Sequence, residues 1–390
     1  MNTGRAIELQ EQAWSLQAEG KLEEALLACR QALRIMEEAE GPDSPDVANL
    51  LNDLAEIEEQ RQNFAAALAL AGRARAIEDV LGRPRPDGRG WKWRPSPAPE
   101  GGGHVISENA PGDRFAGETA ARIRARTLAL LGTIRRVQGD YAGAESDLKM
   151  ALAVAAEFGE ASEEAAEARN NLAVLYKYWG RFEDGLRLYE EALHSILAVH
   201  GEACLASAVI YHNIGGILHS QGDFAAAEEP GRKAWDISRQ IMGEDDPRTM
   251  LDAAAYAAIL DGLERYGESE RIYRRALATF EKAIGPEHYE VAATLHNLAA
   301  VLVTGGHLEE AERYYRRSLG IKEKLLGAES PDAALTRNNL GSLLTIAGRP
   351  REAAPLLESA VAILEKRLTS EHPHLAVARE NLQKALLLLT

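Results

Sequence analysis

Glycines recur in this chain every 42 residues, at Gly159, Gly201, Gly243, Gly285 and Gly327. A second lattice of the same spacing carries Gly180, Gly222, Gly306 and Gly348. A third carries Asn171, Asn213, Asn297, Asn339 and Asn381, and is skipped only at Ala255. A fixed period of this length means stacked supersecondary units, each of which buries its apolar face only against its neighbours. At 390 residues the chain is too long for one compact core of ordinary size, and the period makes it an array rather than a set of separate globules.

Each unit contains two helices. In ARNNLAVLYKYWG, Leu172, Ala173 and Tyr176 fall at helical spacing and form the apolar stripe of a first helix that ends near Gly180. The second helix places small and large residues three and four apart, as in Gly185, Tyr189 and Ala192. A glycine just past the last periodic residue suits a left-handed C-cap. Ser44-Pro45, Asp246-Pro247 and Ser330-Pro331 mark helix starts, each with a capping side chain before a proline at the first helical position. Composition agrees: 46% of residues are apolar, mostly Ala and Leu, but only 6% are aromatic, which suits helices better than sheets. Pro230, inside a second helix, predicts a kink.

The GPDSPDVA-like links, NNLAVLY-like first helices and EAAPLLESA-like second helices resemble tetratricopeptide repeats (TPR) of the 42-residue kind found in kinesin light chains and their bacterial relatives. The resemblance implies an all-α fold, a right-handed α-solenoid of about eight helix-turn-helix units plus a C-terminal closing helix. It places repeat units 1–2 at 1–82, a Pro/Gly/Arg-rich inserted loop at 83–116, units 3–8 at 117–367, and a capping helix at 368–390. It also implies a non-catalytic interaction scaffold that binds a protein or peptide in the concave groove lined by the first helices.

Asparagine is a poor helix former because its side chain competes for backbone hydrogen bonds, so its recurrence beside the apolar stripe calls for a reason. An amide both donates and accepts, and a row of them at about 10 Å spacing matches three residues of an extended peptide. Asn170, Asn171, Asn213, Asn297 and Asn339 are therefore candidate peptide-binding residues, though each amide could equally bond within its own repeat or to the next. Arg136, Lys177 and His219, with Arg126 beside them, gather positive charge on units three to five, which would favour an acidic segment. His212, His219 and His296 are read as lining of the same groove. His212 and His219 share a face but stand about 10.5 Å apart along the helix, too far for one metal ion. The insertion is basic, and its Trp91 and Trp93 suit a lid or an intramolecular ligand.

Other functions are disfavoured by the same sequence. A formal charge of −16 opposes binding to nucleic acid and to anionic membranes. No phosphate loop, nucleophile elbow, HExxH helix or CxxC pair occurs, so no cofactor, metal or catalytic residue is expected. Cys29 and Cys204 read as small buried hydrophobes. With no leader-like or membrane-spanning apolar run, a cytoplasmic protein is expected. Two further readings remain: self-association through repeat ends, where Leu386 to Leu389 are apolar, and a ligand-gated regulator with a pocket over the alanine-rich floor of unit six.

Overall fold

The computed structural model describes residues 3–18, 20–61, 63–81, 113–159, 161–367 and 373–389. Among them every regular element is helical: α1 (Thr3–Ala18), α2 (Leu22–Glu40), α3 (Pro45–Gln60), α4 (Phe64–Leu81), α5 (Asp113–Gln138), α6 (Tyr141–Ala155), a short 3-10 turn (Ala156–Phe158), α7 (Glu163–Trp179) and α8 (Phe182–His200). The series continues with α9 (Leu205–Gln221), α10 (Phe224–Met242), α11 (Pro247–Gly262), α12 (Tyr266–Ile284), α13 (Tyr289–Thr304), α14 (Leu308–Leu326), α15 (Pro331–Ile346), α16 (Pro350–Arg367) and α17 (Pro373–Leu387). The eight expected helix pairs and the closing helix are thus present. Trp91 and Trp93 lie outside the described residues.

Helix starts follow the capping chemistry of the sequence. Ser44 Oγ accepts from the Val47 amide at 3.2 Å, Ser330 Oγ from Ala333 at 3.3 Å, and Asp246 Oδ1 from Arg248 at 2.8 Å. Cys204 departs from the buried-thiol expectation: it is half-buried and caps α9, with Sγ accepting from the Ser207 amide at 3.4 Å. Cys29 is buried as expected. Gly180, Gly222, Gly306 and Gly348 all take left-handed backbone at φ 73 to 82°, where a side chain would be strained. Their lattice skips position 264, yet the chain makes the same turn there with Glu264 at φ 61°. α10 runs unbroken through Pro230.

Packing divides the chain into two compact units, Met1–Val199 and His200–Thr390. In the N-terminal unit α3 packs on α5 and α5 on α7; in the C-terminal unit α9, α11, α13, α15 and α17 meet in succession. First helices therefore touch one another directly, and second helices make no comparable contact with each other among the described residues. This follows from side-chain size. Ala257 and Ala299 on first helices share a core with the fully buried Tyr273 and Tyr315 of their partners, and a Cβ added at Gly341 would lie 2.6 Å from Leu357.

An arginine after each of several first-helix turns braces the previous repeat. Arg61 reaches Glu23 and Arg181 reaches Glu145 in one unit, and Arg265 reaches Glu228 and Arg349 reaches Glu312 in the other, at 2.5 to 2.9 Å. Such part-exposed pairs contribute about 0–1 kcal/mol each, less than the apolar seams they flank.

Candidate functional site

In the N-terminal unit the polar residues of the first helices fall into three states. Arg126 on α5 donates from Nε to Glu56 at 2.8 Å, from Nη1 to Asn49 at 3.0 Å and from Nη2 to Asp53 at 2.7 Å, so α3 absorbs its charge. The flanking carboxylates raise its pKa further, against the opposing effect of burial. Arg136 lies over the Tyr178 ring at 4.7 Å and beside Glu59, whose carboxyl is pushed up by burial and by Glu56. Lys177 on α7 has neither kind of partner. It is half-buried, burial lowers the pKa of its ammonium, and no hydrogen bond or ion pair engages it among the described residues. Two turns earlier on the same stripe, Asn170 Nδ2 reaches Asn171 Oδ1 at a long 3.5 Å. Among the described residues nothing bonds the Asn171 Nδ2.

The C-terminal unit shows a different arrangement, built around His296. Its Nδ1 lies 3.1 Å from Thr336 Oγ1, and its Nε2 lies 3.1 Å from Asn339 Nδ2. Thr336 gives its own proton to the Asp332 carbonyl at 3.0 Å and accepts from Lys322 Nζ at 3.1 Å. The donors and acceptors balance only with the proton on Nδ1 of His296 and the Asn339 amide donating to Nε2. Burial, with Lys322 nearby, pushes that imidazole down to about 3, which keeps it neutral. Asn338 Nδ2 then donates to Asn339 Oδ1 at 3.0 Å, and Asn381 Nδ2 to Asn338 Oδ1 at 3.1 Å. Asn339 also meets the Tyr315 hydroxyl, as Asn297 meets that of Tyr273.

The same geometry recurs two repeats earlier with other residues. His212 Nδ1 lies 2.7 Å from Asp252 Oδ1, and Ser238 Oγ donates to Asp252 Oδ2. The serine bonds the carboxylate rather than the imidazole, so the trio lacks the serine–histidine contact that activates a nucleophile. Here the asparagine is replaced by Ala255 and the tyrosine by Gly231, and a Cβ at Gly231 would fall 2.5 Å from Ile259 Cδ1. The alanine-rich floor of this repeat is thus filled by Ile259 and Tyr256 at that point. His219 stacks edge-on against Phe224 at 5.3 Å.

The structure therefore sorts the sequence candidates. Asn339 has both ends of its amide in internal bonds, Asn297 is shared with Tyr273, Asn213 is engaged, and the Asn171 nitrogen is open. Replacing Asn339 by alanine is expected to cost about 1–2 kcal/mol, because His296 Nε2 and the Asn338 amide lose their partners. Urea denaturation would show it, and an unchanged midpoint would mean that the amide contributes nothing to the fold. Sequence reasoning missed Asp252, Asp261, Tyr273 and Tyr315. The tyrosines share the 42-residue lattice, which was the available signal.

Comparison with known proteins bears on the whole array. A family model for the tetratricopeptide repeat matches residues 5–77, 123–195, 180–240, 248–324 and 308–366. The chain belongs to the tetratricopeptide-repeat family. Its units repeat every 42 residues, the spacing by which the sequence resembles kinesin light chains. A curated relative, the mitochondrial tetratricopeptide repeat protein 19 of Rattus norvegicus, is 32% identical over 95 residues, 24% of this chain and 25% of the relative. Another curated relative is matched over 11% of its length, so the chain spans a quarter or less of these proteins. Among solved structures, a Rap protein complexed with competence and sporulation factor aligns over 99% of this chain and 98% of its own, with TM-score 0.54 at 14% identity, a likeness of fold. A putative kinesin light chain with TPR-like repeats from Podosopora anserina aligns over 54% of this chain and 99% of its own, with TM-score 0.42 and 20% identity. No helix among the described residues is long and apolar enough to cross a membrane.

Proposed function

We propose that this TPR array is a non-catalytic scaffold whose first-helix faces bind extended polypeptide, and that the face of the N-terminal unit takes an acidic segment. The observation that carries the proposal is Lys177, an ammonium held half-buried on α7 with no carboxylate to compensate it. A desolvated, unpaired cation on a repeat face is stabilised when an incoming carboxylate completes the pair. Arg126 cannot serve in this way, since Asp53 and Glu56 already hold it. Asn171, with its amide nitrogen open, stands on the same helix to meet the peptide backbone. The Rap protein of the structural comparison, a likeness of fold, is complexed with competence and sporulation factor.

The reading predicts binding of fluorescein-labelled, Glu-rich peptides to the full chain, measured by anisotropy at low salt. Changing Lys177 to alanine is expected to weaken them about tenfold, and changing Asn171 to alanine by less. Equal affinity for the Lys177→Ala chain and the unaltered one, or equal affinity for Gln-rich counterparts, would overturn the acidic-segment proposal.

A further inference from the structure

The C-terminal unit carries an unmet charge of the opposite sign. Asp261 lies near the end of α11, at the lattice position held by Lys177 in α7, His219 in α9 and Val303 in α13. Its charge is close enough to oppose ionisation of both Tyr273 and Tyr315, the two hydroxyls that also meet Asn297 and Asn339. Oδ1 of Asp261 is sealed from solvent without a hydrogen-bond donor. No donor among the described residues reaches Oδ2 either, and since that oxygen is not sealed, it is the one open to an incoming group.

The unit is not short of cations. Arg265 bonds Glu228 and Glu268, Arg274 bonds Glu270 and Glu310, Arg275 bonds Glu244 and Asp245, and Arg316 and Arg349 share Glu312. All of these arginines sit on second helices or in the turns that lead into them, and each is paired with carboxylates other than Asp261. Nor is the site a metal cage: two phenols, amides and one carboxylate fall short of the several oxygen ligands a hard cation needs. Burial alone pushes the Asp261 carboxyl up to about 6, so near neutral pH it is still largely ionised and lacks a partner. What completes it is a positively charged group bearing N–H donors.

We propose that the first-helix face of the C-terminal unit binds a polypeptide by a lysine or arginine side chain, which donates to Oδ2 of Asp261 while the adjoining backbone meets Asn297. The proposal rests on the reading that first-helix faces hold extended chains, and adds the chemistry of the occupant. It also makes the two units complementary in preference, an acidic segment for Lys177 and a basic one for Asp261.

The test is a pair of labelled peptides of Ala, Ser and Leu, identical except that one has a central arginine and the other citrulline, its neutral isostere. Each is titrated into the full chain and into Asp261→Asn and Asp261→Glu variants whose folding is checked by circular dichroism. N-acetyl-arginine amide serves as a free cation. The unaltered chain is expected to prefer arginine about tenfold, Asp261→Glu to keep part of that preference, and Asp261→Asn to lose it. A preference that survives Asp261→Asn, or is absent from the unaltered chain, overturns the cation site. If both peptides bind equally well, polypeptide binding stands and the site falls. If the free arginine derivative binds as tightly as the peptide, and only when Asp261 is present, the site stands and the polypeptide reading falls.

Discussion

Replacing Arg126 by alanine is expected to lower the stability of the chain by about 3 kcal/mol. Asp53 is 1% exposed and bonds only Gln10, at 2.5 Å, and Arg126. Without the guanidinium, a sealed carboxylate is left beside Glu56 with one neutral donor, and Asn49 Oδ1 loses its partner as well. Removing one member of such a pair costs more than the pair contributes, because the remaining charge has been taken out of water. Arg126 is itself about one-third exposed, which holds the figure below the upper end seen for fully buried pairs. The comparison that isolates the cause is Arg126→Ala against Arg126→Ala with Asp53→Asn, by urea denaturation. The second change should recover part of the loss. A destabilisation below about 0.5 kcal/mol, or no recovery, would mean that the network carries little energy.

Glu78→Gln should act in the opposite direction and depend on pH. Glu78 is 7% exposed and burial pushes its carboxyl up to about 7, with Thr127, Arg124 and Arg75 holding the rise back. The Thr127 hydroxyl donates to the Glu78 carboxylate and also lies 2.9 Å from the Ile123 carbonyl, while its oxygen accepts from Asn52 Nδ2 at 2.8 Å. A folded-state pKa above the unfolded value means that the native chain binds the extra proton, so stability falls as pH rises from about 4.5 to about 7. The accumulated cost above that window is about 3 kcal/mol, and glutamine avoids it. Thermal melts at pH 8 should therefore show the variant more stable, with the advantage gone by about pH 4. A variant equal to the unaltered chain at both ends would show that Glu78 is well solvated when ionised.

Lys177 and Asp261, two half-buried ionisable side chains without a partner among the described residues, illustrate why charge patterns on repeats are hard to interpret in one dimension. Along the sequence, Arg126, Arg136 and Lys177 form one basic cluster. In the folded chain the first is neutralised by α3, the second lies on an aromatic ring, and only the third is left over. Asp261 shares the lattice of Lys177, but nothing along the sequence says that the arginines around it are paired with other carboxylates.

Local chemistry was enough to settle the architecture. The period, the serine and aspartate caps before proline and the left-handed glycines act within a few residues of where they are written, so the helix pairs and their number follow from reading along the chain. The skipped repeat is the exception: Glu264 takes the left-handed turn at φ 61° with no glycine there to favour it. The fate of the polar residues was decided elsewhere. Whether Asn339 is spent on His296 while the Asn171 nitrogen stays open, and whether Arg126 or Lys177 keeps its charge, depends on side chains some 40 to 80 residues away that only helix packing brings into hydrogen-bond range. Hydrogen bonds and ion pairs act over such short distances that spacing along the chain, which sets the fold, carries almost no information about them.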